Sequence, residues 1–596
     1  MSSLLTFLLI AACMPILKVA SFTAPLEIYA YKFFDSSTGE SVNLKGIDYY
    51  PRPNTGPLNT NNVDFFTEEY RSVWEADIAY FQTLGINAVR IYAVDPSQDH
   101  SGFMCALAQS NIYVMVGLLA SCQNCNISPD PAPNCYPASL KTRGQMVIAA
   151  FINFDNVLGF DAGNEVDLET NGQPWINAPC QKKFIRDMRA YIANCPTRKV
   201  PVGVVLADVQ RMEKSDYYNC YTTASKDPYE LAEWIGLNAY QSCNGNVTSL
   251  ADAPGFQGLI TDYSNFSIPV ILTEYGCLNP SFPTIDGYQA QRNFYQAAWM
   301  FESGMKDAIA GGFAFEYSVE AQNAAWSQYP FKTYSPGNFG IGYYSPSDCD
   351  IVNITCTYQT KPEFYNLQKE YAATQTRGEY MRSTFTPLPD RLLRSPCPSN
   401  FAGIDNFTWP SDSQADQWCP WSNVIACPGQ PSSNSSNTTV AAPLATASPV
   451  PSSSNATPTS STTSPVHTLT PSVVNGSMSP TAKSQAHTPT NRKTINPTKT
   501  TIDKSTSSVP VNGSMPSTPH YAGPSFQPST DAFAPTASPT TVLISGSSQK
   551  TRAPIKTSSA MHSRGGGGSA SLIPPLMKAT GLGSLVLLVS SSMFNF

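Results

Sequence analysis

Histidine is scarce in this chain: five occur among 596 residues, and only His100 falls within the first 460. A Ser-His-Asp hydrolase would have to be built on that one imidazole, and no Gly-x-Ser-x-Gly elbow is visible. A multi-histidine metal site is equally excluded. Charge is also sparse, at 13% of residues with a net charge of -7. Without a basic footprint, nucleic acid is not expected as a partner. No Gly-rich phosphate loop follows the first β-rich run, which argues against a dinucleotide-binding sheet. Aromatic residues, by contrast, reach 11%. That balance suits a neutral, stacking ligand, although an aromatic core accounts for it equally well.

Composition divides the chain. Residues 26–425 hold the aromatics and nearly all the cysteines, whereas 430–560 are mostly Ser, Thr, Pro and Asn. The first region can bury a core; the second cannot offset its ordering entropy and is expected to stay extended. Residues 1–21 are apolar to Ile16 and then small, the pattern of a cleaved secretory signal. Cys13 would leave with it, so 14 of the 15 cysteines remain, an even number suited to disulfides in an oxidising compartment. At the other end, Arg564, four glycines, small residues and a terminal apolar tail make 565–596 a GPI-attachment signal. Between them, 346–428 is a cysteine-bearing extension and 429–564 a Ser/Thr/Pro-rich, O-glycosylated stalk.

Eight β-rich runs occupy 42–49, 86–92, 112–118, 157–163, 200–206, 234–240, 269–273 and 311–317. Helix-like spacing lies between several of them, at 69–84, 140–153, 179–194 and 289–303. Alternating strands and helices predict parallel βα units, and eight of them predict an α/β fold of the (β/α)8 TIM barrel type over 26–345.

Reactive groups in such a barrel sit at the carboxyl ends of the strands. Glu165 follows Gly163-Asn164 at the end of the fourth run, and Glu274 precedes Tyr275-Gly276 at the end of the seventh. Strands four and seven face each other across a barrel mouth. Retaining cleavage of a glycosidic bond needs one carboxyl to donate a proton and another to attack the anomeric carbon, roughly 5 Å apart. Glu165 is assigned as acid/base and Glu274 as nucleophile, with Asn164 placed to bond the sugar 2-hydroxyl. Either glutamate alone would be an ordinary strand-end residue; the pair on opposed strands carries the assignment. Glu165 would need a raised pKa, while Glu274 stays ionised.

The chain resembles the fungal-type β-1,3-glucanosyltransferases of glycoside hydrolase family 72. The resemblance runs through Leu44-Lys-Gly-Ile-Asp-Tyr49, Leu84-Gly-Ile-Asn-Ala-Val-Arg90-Ile-Tyr92, His100, Gly163-Asn-Glu165-Val166, Gly236-Leu-Asn238-Ala-Tyr240, Thr273-Glu-Tyr-Gly-Cys277 and Phe315-Glu-Tyr-Ser318. It implies the same roles for Glu165 and Glu274, and sugar-lining roles for Tyr92, Tyr240 and Tyr317, with Tyr49 grouped among the substrate-binding residues. It implies a β-1,3-glucan donor and acceptor, no cofactor and no metal, a monomer, and a GPI anchor on the extracellular face of the plasma membrane or in the wall. It also implies the disulfides Cys243–Cys277 and Cys220–Cys349.

Departures from the family pattern cluster around the groove. Tyr50 replaces a glutamine, an aspartate is missing from Leu118-Leu119-Ala120-Ser121, a groove tyrosine becomes Phe315, and Gln241-Ser242 stand where the family has Ser-Trp. A family cysteine is lost near Trp74, so Cys105 is expected to pair among Cys122, Cys125 and Cys135. Two other readings compete with a transferase: an endo-β-1,3-glucanase in which water takes the glycosyl group, and a non-catalytic glucan-binding surface protein.

Overall fold

The computed structural model describes residues 23–420, residue 171 apart, and 425–428. The expected signal, stalk and GPI-attachment segment lie outside the described residues.

Eight parallel strands close into a barrel: β1 (Leu44–Tyr49), β2 (Ala88–Ile91), β3 (Tyr113–Gly117), β4 (Val157–Asn164), β5 (Val202–Ala207), β6 (Ile235–Asn238), β7 (Val270–Tyr275) and β8 (Gly311–Ala314). Each pairs with the next in sequence, and β8 closes on β1 through the registers Gly311↔Leu44 to Ala314↔Ile47. All eight segments expected from the sequence are strands of this barrel. They are buried on both faces, which is why they read as apolar runs instead of alternating ones.

Helices wrap the outside: α1 (Arg71–Leu84), α2 (Ser101–Gln109), α3 (Ala138–Phe151), α4 (Ala178–Asn194), α5 (Arg211–Tyr218), α6 (Pro254–Tyr263), α7 (Tyr295–Trp299) and α8 (Met305–Ala308). Helix α1 stops at Gly85, whose φ of 70° is the left-handed cap that a side chain would resist. The helix expected over 289–303 is a correction, because only α7 forms there. Arg292 is buried and turns its guanidinium onto the carbonyls of Gly276, Phe315 and Phe339 and the Glu363 carboxylate. That ties 289–294 to the barrel in a non-helical path, and Phe294 enters the helix at φ 55°.

An antiparallel sheet of Leu26–Tyr29, Lys32–Asp35, Glu40–Val42 and Arg377–Met381 lies at the amino-terminal end of the barrel. Its Leu26, Phe33 and Val42 join the inner barrel residues Leu44, Ala88, Tyr113 and Met115 in one apolar cluster. One end is therefore plugged, and the polar groups collect at the other. Beyond the barrel, a hairpin (Gly342–Ser345 with Thr357–Thr360) and α9 (Pro362–Ala372) pack back on it.

Seven disulfides join Cys105–Cys427, Cys122–Cys125, Cys135–Cys180, Cys195–Cys419, Cys220–Cys397, Cys243–Cys277 and Cys349–Cys356. Two expectations are corrected. Cys220 and Cys349 are not partners: Cys349 closes a local turn onto Cys356, leaving Cys220 to anchor Cys397. Cys105 bonds none of Cys122, Cys125 and Cys135, but holds the end of the described chain through Cys427. Among the described residues, no helix is long and apolar enough to cross a membrane.

Candidate active site

Strand alternation decides which side chains reach the barrel mouth. On β1, Leu44 points inward and Ile47 outward, so Asp48 faces the interior and Tyr49 faces α1. On β2 the same parity sends Arg90 inward. Its guanidinium is 1% exposed and spans the mouth. Nη2 donates to Asp161 Oδ2 at 2.9 Å and to Asn164 Oδ1 at 2.8 Å, both on β4. Nη1 donates to Glu274 Oε1 at 3.0 Å on β7 and to the Tyr92 hydroxyl at 2.8 Å. One arginine thus binds the ends of β4 and β7 together.

The end of β4 is irregular. Its register with β5 shifts between Asp161 and Asn164, and Asp161 Oδ1 accepts from the Gly163 amide at 2.8 Å. Gly163 has φ 133°, and a Cβ there would sit 2.7 Å from Leu119 Cδ1, so only glycine fits. Glu165 follows with φ 47°, a left-handed conformation that is uncommon for a side-chain-bearing residue and is fixed by its amide bonding Val205 O at 3.0 Å. The bulge re-aims the strand end.

The two glutamates have different surroundings. Burial, then the charges of Glu274 and Asp167, push the Glu165 carboxyl up to about 8, against the opposing pull of Lys214 and Asn238. Lys214 Nζ meets Asp167 Oδ2 at 2.5 Å. Glu274 is 5% exposed. Burial raises it as well, but Arg90 and the hydroxyls of Tyr240 and Tyr92 all work to keep it charged. Tyr240 donates to Glu274 Oε2 at 2.6 Å, and Tyr92 lies 3.3 Å from Oε1. The proton therefore belongs on Glu165 and the charge on Glu274, the division an acid and a nucleophile require.

Asn164 Oδ1 takes hydrogen bonds from Arg90 and from Asn238 Nδ2 at 3.0 Å, leaving its amide Nδ2 to donate to a ligand. A small pocket opens beside it, lined by Tyr92, Asp161 and Asn164 together with Leu119, Ala120 and Ser121 after β3. The disulfide Cys243–Cys277 joins the loops leaving β6 and β7, next to Tyr240 and Glu274.

Tyr49 and Tyr317 do not reach this cleft, which corrects their grouping with the sugar-binding residues. Both are 0% exposed. Their hydroxyls donate to the two oxygens of Asp77 on α1 at 2.8 Å, and Tyr344 joins them there at 2.6 Å. Arg90, Asp48, Asp161 and Asn238, which the sequence reading did not assign, are the residues that hold the site. The signal was available in part: counting by twos from Leu44 puts Asp48, not Tyr49, inside.

A model of the family described as Glucanosyltransferase matches residues 16–329. The chain belongs to the glucanosyltransferase family. It is 30% identical over 370 residues to 1,3-beta-glucanosyltransferase gas4 of Schizosaccharomyces pombe, covering 60% of this chain and 69% of that protein. It is 32% identical over 306 residues to 1,3-beta-glucanosyltransferase GAS5 of Saccharomyces cerevisiae, covering 51% and 58%. Among solved structures, a Gas2p apostructure from Saccharomyces cerevisiae aligns with a TM-score of 0.50 at 24% identity, covering 64% of this chain and 71% of that one. That last likeness speaks to the barrel fold. Family membership rests on the sequence matches.

Proposed function

We propose that this glucanosyltransferase-family chain is a retaining 1,3-β-glucanosyltransferase that remodels extracellular glucan. The observation that carries the reading is the Arg90 bridge, which holds Glu274 charged on β7 and Asn164, the neighbour of a protonated Glu165, on β4. Glu165 gives its proton to the glycosidic oxygen as the bond to the anomeric carbon breaks. One carboxylate oxygen of Glu274 forms a bond to that carbon, giving a glycosyl ester. Glu165, now a carboxylate, removes the proton from an acceptor hydroxyl, whose oxygen displaces Glu274 and restores both groups. Arg90, Tyr240 and Tyr92 favour Glu274 as a leaving carboxylate in this second step. Asn164 Nδ2 is the donor to the sugar 2-hydroxyl.

The donor and acceptor are both β-1,3-glucan chains, as the relatives' names indicate for those proteins. On this reading the enzyme follows the secretory pathway and is held at the outer face of the plasma membrane by a GPI anchor, as a monomer. The deciding experiment incubates the enzyme with a laminari-oligosaccharide of single length. Products longer than the substrate support transfer, only shorter ones mean an endo-β-1,3-glucanase, and none leaves a glucan-binding protein.

A further inference from the structure

The loop that leaves β3 lines the pocket beside Asn164 from two places, with Leu119, Ala120 and Ser121 before a tight turn and Asn126 after it. The turn is Cys122-Gln123-Asn124-Cys125, closed by a disulfide. The Cys125 amide donates to Cys122 O at 3.0 Å, and Asn124 sits at a left-handed φ of 62°. The Ala120 amide donates across to Cys125 O at 3.0 Å, which folds the Asn126 arm back along the Ala120 arm. Ser121 Oγ donates to Asn61 O at 2.9 Å, and Asn61 lines the same pocket. Both arms are anchored outside the turn. Leu118 and Ile127 are buried, the Leu118 amide donates to Asp161 O at 2.9 Å, and Asn177 Nδ2 donates to Ser128 O at 3.3 Å. Between those anchors, the shape of the pocket wall depends on the Cys122–Cys125 bond.

Two features set this bond apart. Every other disulfide among the described residues has at least one buried cysteine, whereas Cys122 and Cys125 are both partly exposed. Exchange requires a thiolate to reach a sulfur, so this is the accessible bond of the seven. It also closes the shortest loop, a separation of three residues against seven to 322 for the rest. So short a loop restricts the unfolded chain little, and the bond adds least to the stability of the fold. Its place in the pocket wall gives it a different use.

We propose that Cys122–Cys125 is a positioning disulfide of the glucan site, and that a dithiol which opens it lowers kcat/KM for glucan without unfolding the barrel. The assignment rests on the glucanosyltransferase reading and adds redox control of the same site. One thiolate of the dithiol attacks a cysteine sulfur, forming a mixed disulfide and releasing the other cysteine as a thiolate that takes up a proton. The second thiolate of the dithiol then displaces the first cysteine, which leaves with its electron pair and is protonated in turn. The dithiol ends as a cyclic disulfide, and the protein has gained two electrons and two protons. Neither cysteine lines the pocket itself, so both act through the wall residues.

The test titrates the native full-length protein with dithiothreitol, caps freed thiols with iodoacetamide and maps them by mass spectrometry. Turnover is followed on a laminari-oligosaccharide of single length. Cys122 and Cys125 should be capped before any other cysteine. At that point KM should rise about tenfold with kcat nearly unchanged, while the melting temperature falls by less than about 4 °C. Reoxidation after removal of the dithiol should restore KM. Cys122→Ser combined with Cys125→Ser should show the raised KM from the outset and not respond to dithiothreitol. The proposal is overturned if other cysteines are capped first, or if KM keeps its wild-type value once only these two are capped. A melting temperature that collapses with the same two capped overturns it as well, because the bond would then be holding the fold. A double variant with wild-type KM, or one that fails to fold, has the same consequence. Oxidised wild type yielding no product would instead sink the enzymatic reading on which the proposal rests.

Discussion

The hydroxyl of Tyr240 donates to Oε2 of Glu274 at 2.6 Å, on the carboxylate oxygen opposite the one held by Arg90. A hydrogen bond to a charged group is worth about 1.5–3 kcal/mol, so Tyr240→Phe should lower kcat by roughly ten- to a hundredfold. The sign of the accompanying pH effect is fixed. The bond favours the ionised form of Glu274, and its loss raises the pH at which Glu274 takes up a proton. The acid limb of the kcat/KM profile should move to higher pH. An unmoved limb would mean that Tyr240 only packs against the sugar.

Glu165 offers a test on stability as well as rate. Its native carboxyl, raised by burial to about 8 from its ordinary 4.5, holds a proton that the unfolded chain releases. Between pH 4.5 and about 8 the native state binds more protons than the unfolded state, so this group's contribution to stability declines as pH rises through that window. Glu165→Gln has no proton to lose. Its melting temperature should match wild type near pH 4 and exceed it progressively up to pH 8, while turnover falls about 10²- to 10⁴-fold. A difference in melting temperature that stays flat with pH would show that Glu165 is not a buried acid.

The candidate pair was legible in the sequence because strand ends in a barrel are where reactive groups must sit, and the structure places Glu165 and Glu274 at the ends of the fourth and seventh strands. The barrel was legible because β-rich runs alternate with helix-like stretches. What was not legible depends on direction and distance. Tyr49 looked like a sugar-binding residue until alternation turned it toward Asp77. The apolar spacing over 289–303 says nothing of Arg292, whose guanidinium binds three carbonyls and breaks that helix. Cys397 and Cys427 reach partners 177 and 322 residues away, separations that spacing cannot encode. Arg90 sat in view within a matched motif, but only the closed barrel shows one guanidinium touching both β4 and β7.

That bridge predicts an unforgiving position. Arg90 uses both terminal nitrogens in a planar fork, toward Asp161 and Asn164 on one side and Glu274 and Tyr92 on the other. A lysine supplies a single charged nitrogen and cannot span both. Arg90→Lys should fold less stably, by up to about 3–5 kcal/mol as carboxylates lose their partner. It should also fail to accumulate the glycosyl ester that intact-mass spectrometry would detect on wild type after a rapid quench. Wild-type ester levels in Arg90→Lys would remove the bridge from the mechanism.

The residues beyond 345, a cysteine-bearing extension in sequence, pack back on the barrel. Tyr371 on α9 shares a 2.7 Å hydrogen bond with the hydroxyl of Tyr275, the residue next to Glu274, and donates to Gly46 O on β1 at 2.8 Å. Glu363 pairs with the buried Arg292 at 2.9 Å. Farther on, Cys397, Cys419 and Cys427 are bonded to Cys220, Cys195 and Cys105 around the outside of the barrel. Each such link typically contributes about 2–4 kcal/mol, and the paired Arg292 would be left buried without its carboxylate. A chain ending at residue 345 should therefore lack a cooperative thermal transition and be digested rapidly by protease. A chain ending at 428 should melt with the full-length protein. Cooperative melting of the shorter chain at the same temperature would mean that the barrel is self-sufficient and that α9 and the three disulfides only decorate it.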